Sequence, residues 1–337
     1  MQIQHVQQLA AYDEALKALG YGGEDGLEEV IGTAQVAGPE LAAYLGVTID
    51  QLSAAINSAS IHAASLSMST AETIATAVYC LGYAIDDATL PVAAPALSST
   101  FTAPPSTVNL IPGMPPVRHQ GMRGTCVAHA ALAAYEHKLF LTGAAQDMSE
   151  QFLYWNCKRS DGIPNTEGTW LAIAMPLLKR DGVCSESSWP YVPTPVLGNE
   201  GQGPALPGSQ LAALAFRIPG FKQLSPTYVP DLKGELAANR CVAFSIPVFN
   251  SWLRNPWVAN KGDIPMPIPS EIRVGGHAMC LVGYIDMPNQ PELGGGRFIL
   301  RNSWGATWGI NSPYGSGYGT IPYAYLAKLG AEAYSLV

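Results

Sequence analysis

The residue whose type and placement most directly suggest chemistry is Cys126. It opens the stretch CVAHAALAAYEHKLFLT over 126–142, which contains neither Pro nor Gly and stops at Gly143. That pattern predicts a helix with Cys126 in its first turn. A thiol is a useful nucleophile only as thiolate. The unpaired N–H groups of a helix start carry partial positive charge and lower the pKa of a cysteine there. A histidine brought in by the fold can hold the proton. Gly121 and Gly124 permit a tight loop into the helix. Taken alone, Cys126 is equally well explained as a small buried apolar side chain.

The other candidates carry less. The remaining cysteines (Cys80, Cys157, Cys184, Cys241, Cys280) are scattered, with no C-x-x-C and no zinc-ribbon spacing. No metal site and no cofactor are expected. Cys157 and Cys184 could pair, but free buried thiols are the preferred reading. His129, one turn after Cys126, invites a Cys-x-x-His metal site, and a packed position is favoured. His119 and His137 read as surface or loop residues.

Those residues need elements to carry them. Residues 1–90 read as a small bundle of short helices, with Val6, Leu9, Leu16 and Leu19 on one face. Gly38-Pro39 opens a second short helix, Thr48-x-x-Gln51 is a capping box, and Ser69-x-x-Glu72 is another, with Gly82 as its helix stop. Residues 91–107 are a Pro/Ser/Thr-rich linker. Helices are predicted near 149–157 and 169–181, and β-type runs at 241–249, 277–285 and 297–304. The order, helical first and β-rich later, is α+β.

Composition sets the bounds. With 337 residues, 48% hydrophobic and 13% charged, the chain can bury a large core. A net charge of −8 and the lack of a Lys/Arg-rich run give no basis for a nucleic-acid partner. No apolar run reaches membrane-span length, and no signal peptide is visible at the start, so no membrane span is expected and the compartment stays open. Residues 1–90 hold 11 acidic residues against one basic, Lys17. The rest of the chain is mildly positive, so the two parts are expected to attract each other.

Five segments then match one family in order. Gln120-Gly121-x-x-Gly124-Thr125-Cys126 resembles the nucleophile motif of the papain-like (C1-type) cysteine peptidases. Ser149-Glu150-Gln151, Gly182-Val183 with Trp189-Pro190-Tyr191, Gly275-Gly276-His277-Ala278, and Asn302-Ser303-Trp304-Gly305 with Trp308-Gly309 resemble its later signatures. The resemblance runs from about residue 108 to 326. It implies a two-subdomain fold, helical over 108–212 and β-barrel-like over 213–337, behind the N-terminal helical domain. It also implies roles. Cys126 is the nucleophile, His277 the proton acceptor, Asn302 the residue that orients it, and Gln120 an oxyanion donor. Gly168, Thr169, Trp170, Gly276 and Trp304 are the substrate-binding candidates. Arg123 stands where a disulfide cysteine is usual, Val127 replaces a Trp, and the usual double glycine is reduced to Gly168. The Ala-rich, Lys-poor composition and the RGTC variant look more bacterial than plant or animal.

The implied function is a cysteine endopeptidase acting on a peptide or protein through a thiolate–imidazolium pair and an acyl-enzyme. Its N-terminal segment is expected to restrain it in cis, with a stretch such as 97–107 lying along the cleft. A recognition domain that binds a partner is the other reading of that segment. Two rivals remain: another acyl-transfer enzyme on this fold, such as a peptide ligase or deamidase, and a silent peptide-binding protein.

Overall fold

The structure, a computed structural model, describes residues 1–65, 80–84 and 104–337, with backbone only over 61–65. The Ser69/Glu72 capping box and most of the linker lie outside these residues.

Helices α1 (Asp13–Ala18), α2 (Gly26–Leu45) and α3 (Ile49–Ser65) form the N-terminal layer. Val6, Leu9, Leu16 and Leu19 are all buried there, although only the latter part of that stretch is α-helix. The capping box before α3 closes in both directions, Gln51 N–H to Thr48 Oγ1 at 3.2 Å and Thr48 N–H to Gln51 Oε1 at 2.9 Å. The helix expected to open at Gly38-Pro39 is the second half of α2, which breaks at Ala37. Proline has no N–H to give and its ring crowds the preceding turn, so two helical halves meet there at a kink.

Next come α4 (Cys126–Leu141), α5 (Glu150–Lys158), α6 (Leu171–Arg180), α7 (Ser209–Ala213), α8 (Val229–Ala237), α9 (Asn250–Leu253), α10 (Pro256–Lys261) and α11 (Tyr323–Leu329). From Cys126 to His137 every residue of α4 is buried. A helix apolar on all sides belongs in the middle of a fold, and α4 packs against α5, α6 and the sheet. His137, expected at the surface, is buried. Its position on α4 places its ring against the chain at Gly113.

The strands are β1 (Thr107–Asn109), β2 (Phe221–Gln223), β3 (Val242–Phe249), β4 (Arg273–Asp286), β5 (Gly296–Arg301), β6 (Tyr318–Pro322) and β7 (Glu332–Leu336). They form an antiparallel sheet in the order β2-β7-β3-β4-β5-β6, with β1 added alongside β4. The class is α+β, as expected, but the sheet is not closed: β2 and β6 do not pair. The right half is therefore not a barrel. The end of the linker, expected near the cleft, instead pairs as β1 with residues 283–285.

The N-terminal helices rest on α9, α10 and the chain after them. Asn255 Nδ2 donates to Thr33 Oγ1 at 3.1 Å, and Met266 N–H donates to Leu19 O at 3.0 Å. One ion pair, Lys261–Asp25 at 3.6 Å, crosses the contact among the described residues. Glu29 is buried in it; burial, then the nearby Asp263 carboxylate, raise its pKa well above the usual carboxylate range.

Candidate active site

Cys126 sits where the sequence places it, at the first position of α4, and is fully buried. Its sulfur accepts the Ala278 N–H at 3.3 Å and also faces the N–H groups of Gly82, Val127 and Cys126 itself. Burial nevertheless outweighs these donors and pushes the thiol up to about 12. His277 follows on β4 beside Ala278. Its Nε2 lies 2.8 Å from Asn302 Oδ1, at the end of β5. An amide oxygen only accepts, so Nε2 carries the proton and Nδ1 is left as the base. The ring stacks under Trp304 at 4.6 Å, and Trp304 stacks on Trp252 at 5.6 Å. Burial lowers the His277 pKa to about 4, against the opposing bond to Asn302. The covered pair is thus a thiol and a neutral imidazole.

Gln120 is fully buried and held by Ser303: its N–H reaches Ser303 O at 2.8 Å, and its Oε1 accepts Ser303 Oγ at 2.6 Å. That clamp turns Nε2 outward, where it donates to Arg123 O at 2.7 Å and Cys80 O at 3.0 Å. Arg123 is the centre of a buried polar knot. Its guanidinium donates to Gln151 Oε1, Val192 O and Glu200 O at 2.6, 2.9 and 2.9 Å, near the rings of Tyr154 and Tyr191. It ties the 192–200 loop to the loop before α4. All six cysteines are free.

Gly168, Thr169 and Gly276 lie against residues 82–84, and Trp170 is the residue just before α6. What fills the groove was not expected. Residues 80–84 lie through it. Cys80 O accepts from Gln120 Nε2 and from Trp304 Nε1 at 3.3 Å. Tyr83 N–H donates to Gly276 O at 3.2 Å. Thr169 N–H donates to Gly82 O at 3.1 Å and Ala84 N–H to Thr169 O at 3.3 Å, a parallel bridge centred on Tyr83. Leu81 and Gly82, read from sequence as a helix end, are in extended backbone in the cleft. Gly82 is needed for the approach: a Cβ there would stand 2.1 Å from the Gly124 carbonyl.

The Tyr83 side chain enters a pocket with Ser245 and Glu332, and burial first, then the Glu332 charge, raise its pKa. Glu332 receives Leu171 and Ala172 N–H at 3.0 and 2.9 Å, so it caps α6. Sequence reasoning missed Cys80, Gly82, Tyr83, Ser245 and Glu332. A glycine flanked by apolar residues, LGYA, was the only signal.

The model for "Papain family cysteine protease" matches residues 108–321. The "Uncharacterized peptidase C1-like protein L477" of Acanthamoeba polyphaga mimivirus is 28% identical over 62% of this chain and 64% of its own. Cathepsin J of Rattus norvegicus is 32% identical over 58% of this chain and 54% of its own. The chain thus spans little more than half to two-thirds of the length of these curated relatives. Among solved structures, xylellain, a cysteine protease from Xylella fastidiosa, superposes with a TM-score of 0.62 at 26% identity, covering 80% of this chain and 98% of that one. A digestive procathepsin L 3 of Tenebrio molitor shares the fold, with a TM-score of 0.53 at 22% identity over 76% of each chain. Among the described residues no helix is long and apolar enough to cross a membrane.

Proposed function

From the premise that the chain belongs to the papain family of cysteine proteases, we propose that it is a cysteine endopeptidase whose nucleophile is Cys126 and which residues 80–84 hold closed. The observation that carries the second half is the Cys80–Ala84 path through the groove. In the working state, His277 Nδ1 takes the Cys126 proton and the thiolate attacks a peptide carbonyl. Gln120 Nε2, aimed by Ser303, and the Cys126 N–H receive the developing oxyanion. His277 then protonates the leaving amine, and water releases the acyl group. Asn302 keeps the Nε2–H of His277 engaged, and Trp304 shields that bond from solvent.

The restraint follows from what the segment offers the sulfur. Cys80 sets a carbonyl oxygen on Gln120, where an oxyanion would sit. Gly82 presents an N–H to the sulfur rather than an electrophilic carbon. The donor is occupied, the nucleophile is capped and desolvated, and no bond of the segment is poised for attack. Displacing residues 80–84 readmits water and substrate, and the thiol and imidazole then exchange their proton.

The experiment is incubation of the activated protein and its Cys126→Ala variant with a peptide library, read by product mass. Cleavage by the native chain, lost in the variant, is expected. Ligation or deamidation products would favour another acyl transfer, and no change with either protein would favour a silent binding cleft.

A further inference from the structure

The Trp189-Pro190-Tyr191 segment has no part in the chemistry proposed above, yet Tyr191 and the two residues after it grip the loop that leads into Cys126. Met122 N–H donates to Pro193 O at 3.1 Å, and Arg123 Nη1 donates to Val192 O at 2.9 Å. Tyr191 spans the whole loop. Its Oη lies 2.7 Å from Gln120 O and 2.6 Å from Thr125 Oγ1, so one atom touches both ends of residues 120–125. At one end Gln120 carries an oxyanion donor on its side chain. At the other, Cys126 follows Thr125 and carries the second donor on its backbone.

The direction of both bonds follows from the atoms. A carbonyl only accepts, so the single phenol hydrogen goes to Gln120 O, and the Thr125 hydroxyl donates its own to the phenol oxygen. Burial raises the pKa of the phenol, so it keeps that hydrogen. Thr125 is fully buried and is the N-cap of α4, a place where a threonine oxygen ordinarily accepts an N–H of the first helical turn. It makes no such bond here. The hydroxyl is committed to Tyr191, and the Val127 N–H is left to face the Cys126 sulfur. Tyr191 itself has little freedom. Its N–H donates to Glu186 Oε1 at 2.7 Å, His129 meets its ring edge-on at 5.0 Å between centroids, and the Arg123 guanidinium lies 5.2 Å from the ring centre.

We propose that Tyr191 is a positioning residue: its phenol oxygen sets the spacing between Gln120 and the start of α4, and with it the spacing of the two oxyanion donors. Ser303 holds Gln120 from the other side, through the Gln120 N–H at 2.8 Å and Oε1 at 2.6 Å. Ser303 fixes where the Gln120 amide points, and Tyr191 fixes how Gln120 stands to the helix. Such donors stabilise developing charge only when they already surround its position. The inference rests on the assignment of Cys126 and Gln120 made above.

The test compares two reactions of Cys126 in the full chain, each mapped by mass spectrometry. Acetylation by p-nitrophenyl acetate passes through a tetrahedral oxyanion: the thiolate adds to the ester carbonyl, p-nitrophenolate leaves, and the acetyl group stays on sulfur. Alkylation by iodoacetamide displaces iodide at a saturated carbon and forms no oxyanion. Both small reagents need the same open site and the same thiolate, so the ratio of their rates reports the donors. Loss of one oxyanion donor costs about 100-fold or more, and Tyr191→Phe, which displaces donors without deleting them, should lower the ratio about tenfold. Thr125→Val, which cuts one of the two bonds, should lower it by less and should add nothing in the Tyr191→Phe background. Should the Phe variant not fold, the fall expected in Thr125→Val alone decides. An unchanged ratio in the folded variant, or a full further loss from Thr125→Val in the Tyr191→Phe background, would overturn the proposal. Acetyl transfer only to other residues in the native chain would instead overturn the nucleophile assignment, and the proposal with it.

Discussion

Replacing Gly82 by Ala should open the site. A Cβ at this position would lie 2.1 Å from the Gly124 carbonyl carbon and oxygen, and these are backbone atoms that cannot swing aside. The segment must lift, and the bonds it makes in the groove go with it. Three are backbone hydrogen bonds, those of Tyr83 N–H, Thr169 N–H and Ala84 N–H at 3.2, 3.1 and 3.3 Å. At about 1 kcal/mol net for each, about 3 kcal/mol of closure is lost. Since about 1.4 kcal/mol is a factor of ten, the open population should rise about 100-fold. Labelling of Cys126 by a small alkylating reagent at fixed pH measures that population, with mass spectrometry verifying the site and an uncut chain. Hydrolysis of a fluorogenic peptide should rise with it. A folded Gly82→Ala chain that labels no faster than the native one would refute the account of closure, because the collision depends only on backbone positions.

Other expectations follow from the same geometry. His277→Ala should lower turnover more than Asn302→Ala in steady-state assays of the activated enzyme, since one carries the proton and the other orients it; the reverse order would exchange their roles. Arg123→Met leaves the Val192 and Glu200 carbonyls without their donor and should cost about 3 kcal/mol of stability, seen as a lowered urea midpoint; an unchanged midpoint would mean the knot is dispensable. Glu29 gives a pH dependence. Its pKa is raised in the docked state by burial and by Asp263. Its contribution to docking is therefore fully present below the ordinary carboxyl value of about 4.3 and is lost as pH rises through the raised one. Limited proteolysis of the N-terminal helices should accelerate with rising pH in the native chain and much less in Glu29→Gln; acceleration on acidification would favour the charge-attraction reading.

The parts of this molecule that were legible in sequence are those encoded locally. The start of α4 at Cys126, the box at Thr48 and Gln51, and the runs that became β3, β4 and β5 each sit within a few consecutive residues. The family segments are short strings as well. The rest depends on contacts between distant positions. Gly82 reads as a helix stop in sequence because any glycine after an apolar stretch does. Its meaning comes from Gly124, some forty residues on. His137 reads as a surface residue until α4 is known to be buried on all sides. The helix start at Gly38-Pro39 was legible too, since Ala37 is non-helical and the second half of α2 begins there. Glu29 is buried in the contact between the two parts, and its raised pKa depends on that burial and on Asp263, which is distant in sequence. That the β-rich half stays an open sheet is a topological point that no local pattern carries.

The central claim is that Cys126 forms an acyl intermediate with a peptide carbonyl once residues 80–84 are out of the groove. Acid quenching of the Gly82→Ala chain within milliseconds of mixing with a peptide ester, followed by peptide mapping, measures it directly. The account predicts the acyl mass on the peptide that contains Cys126, absent in the Gly82→Ala/Cys126→Ala double variant and decaying as free acid appears. Product formation at an undiminished rate in the double variant, or an acyl mass on another residue, would contradict it.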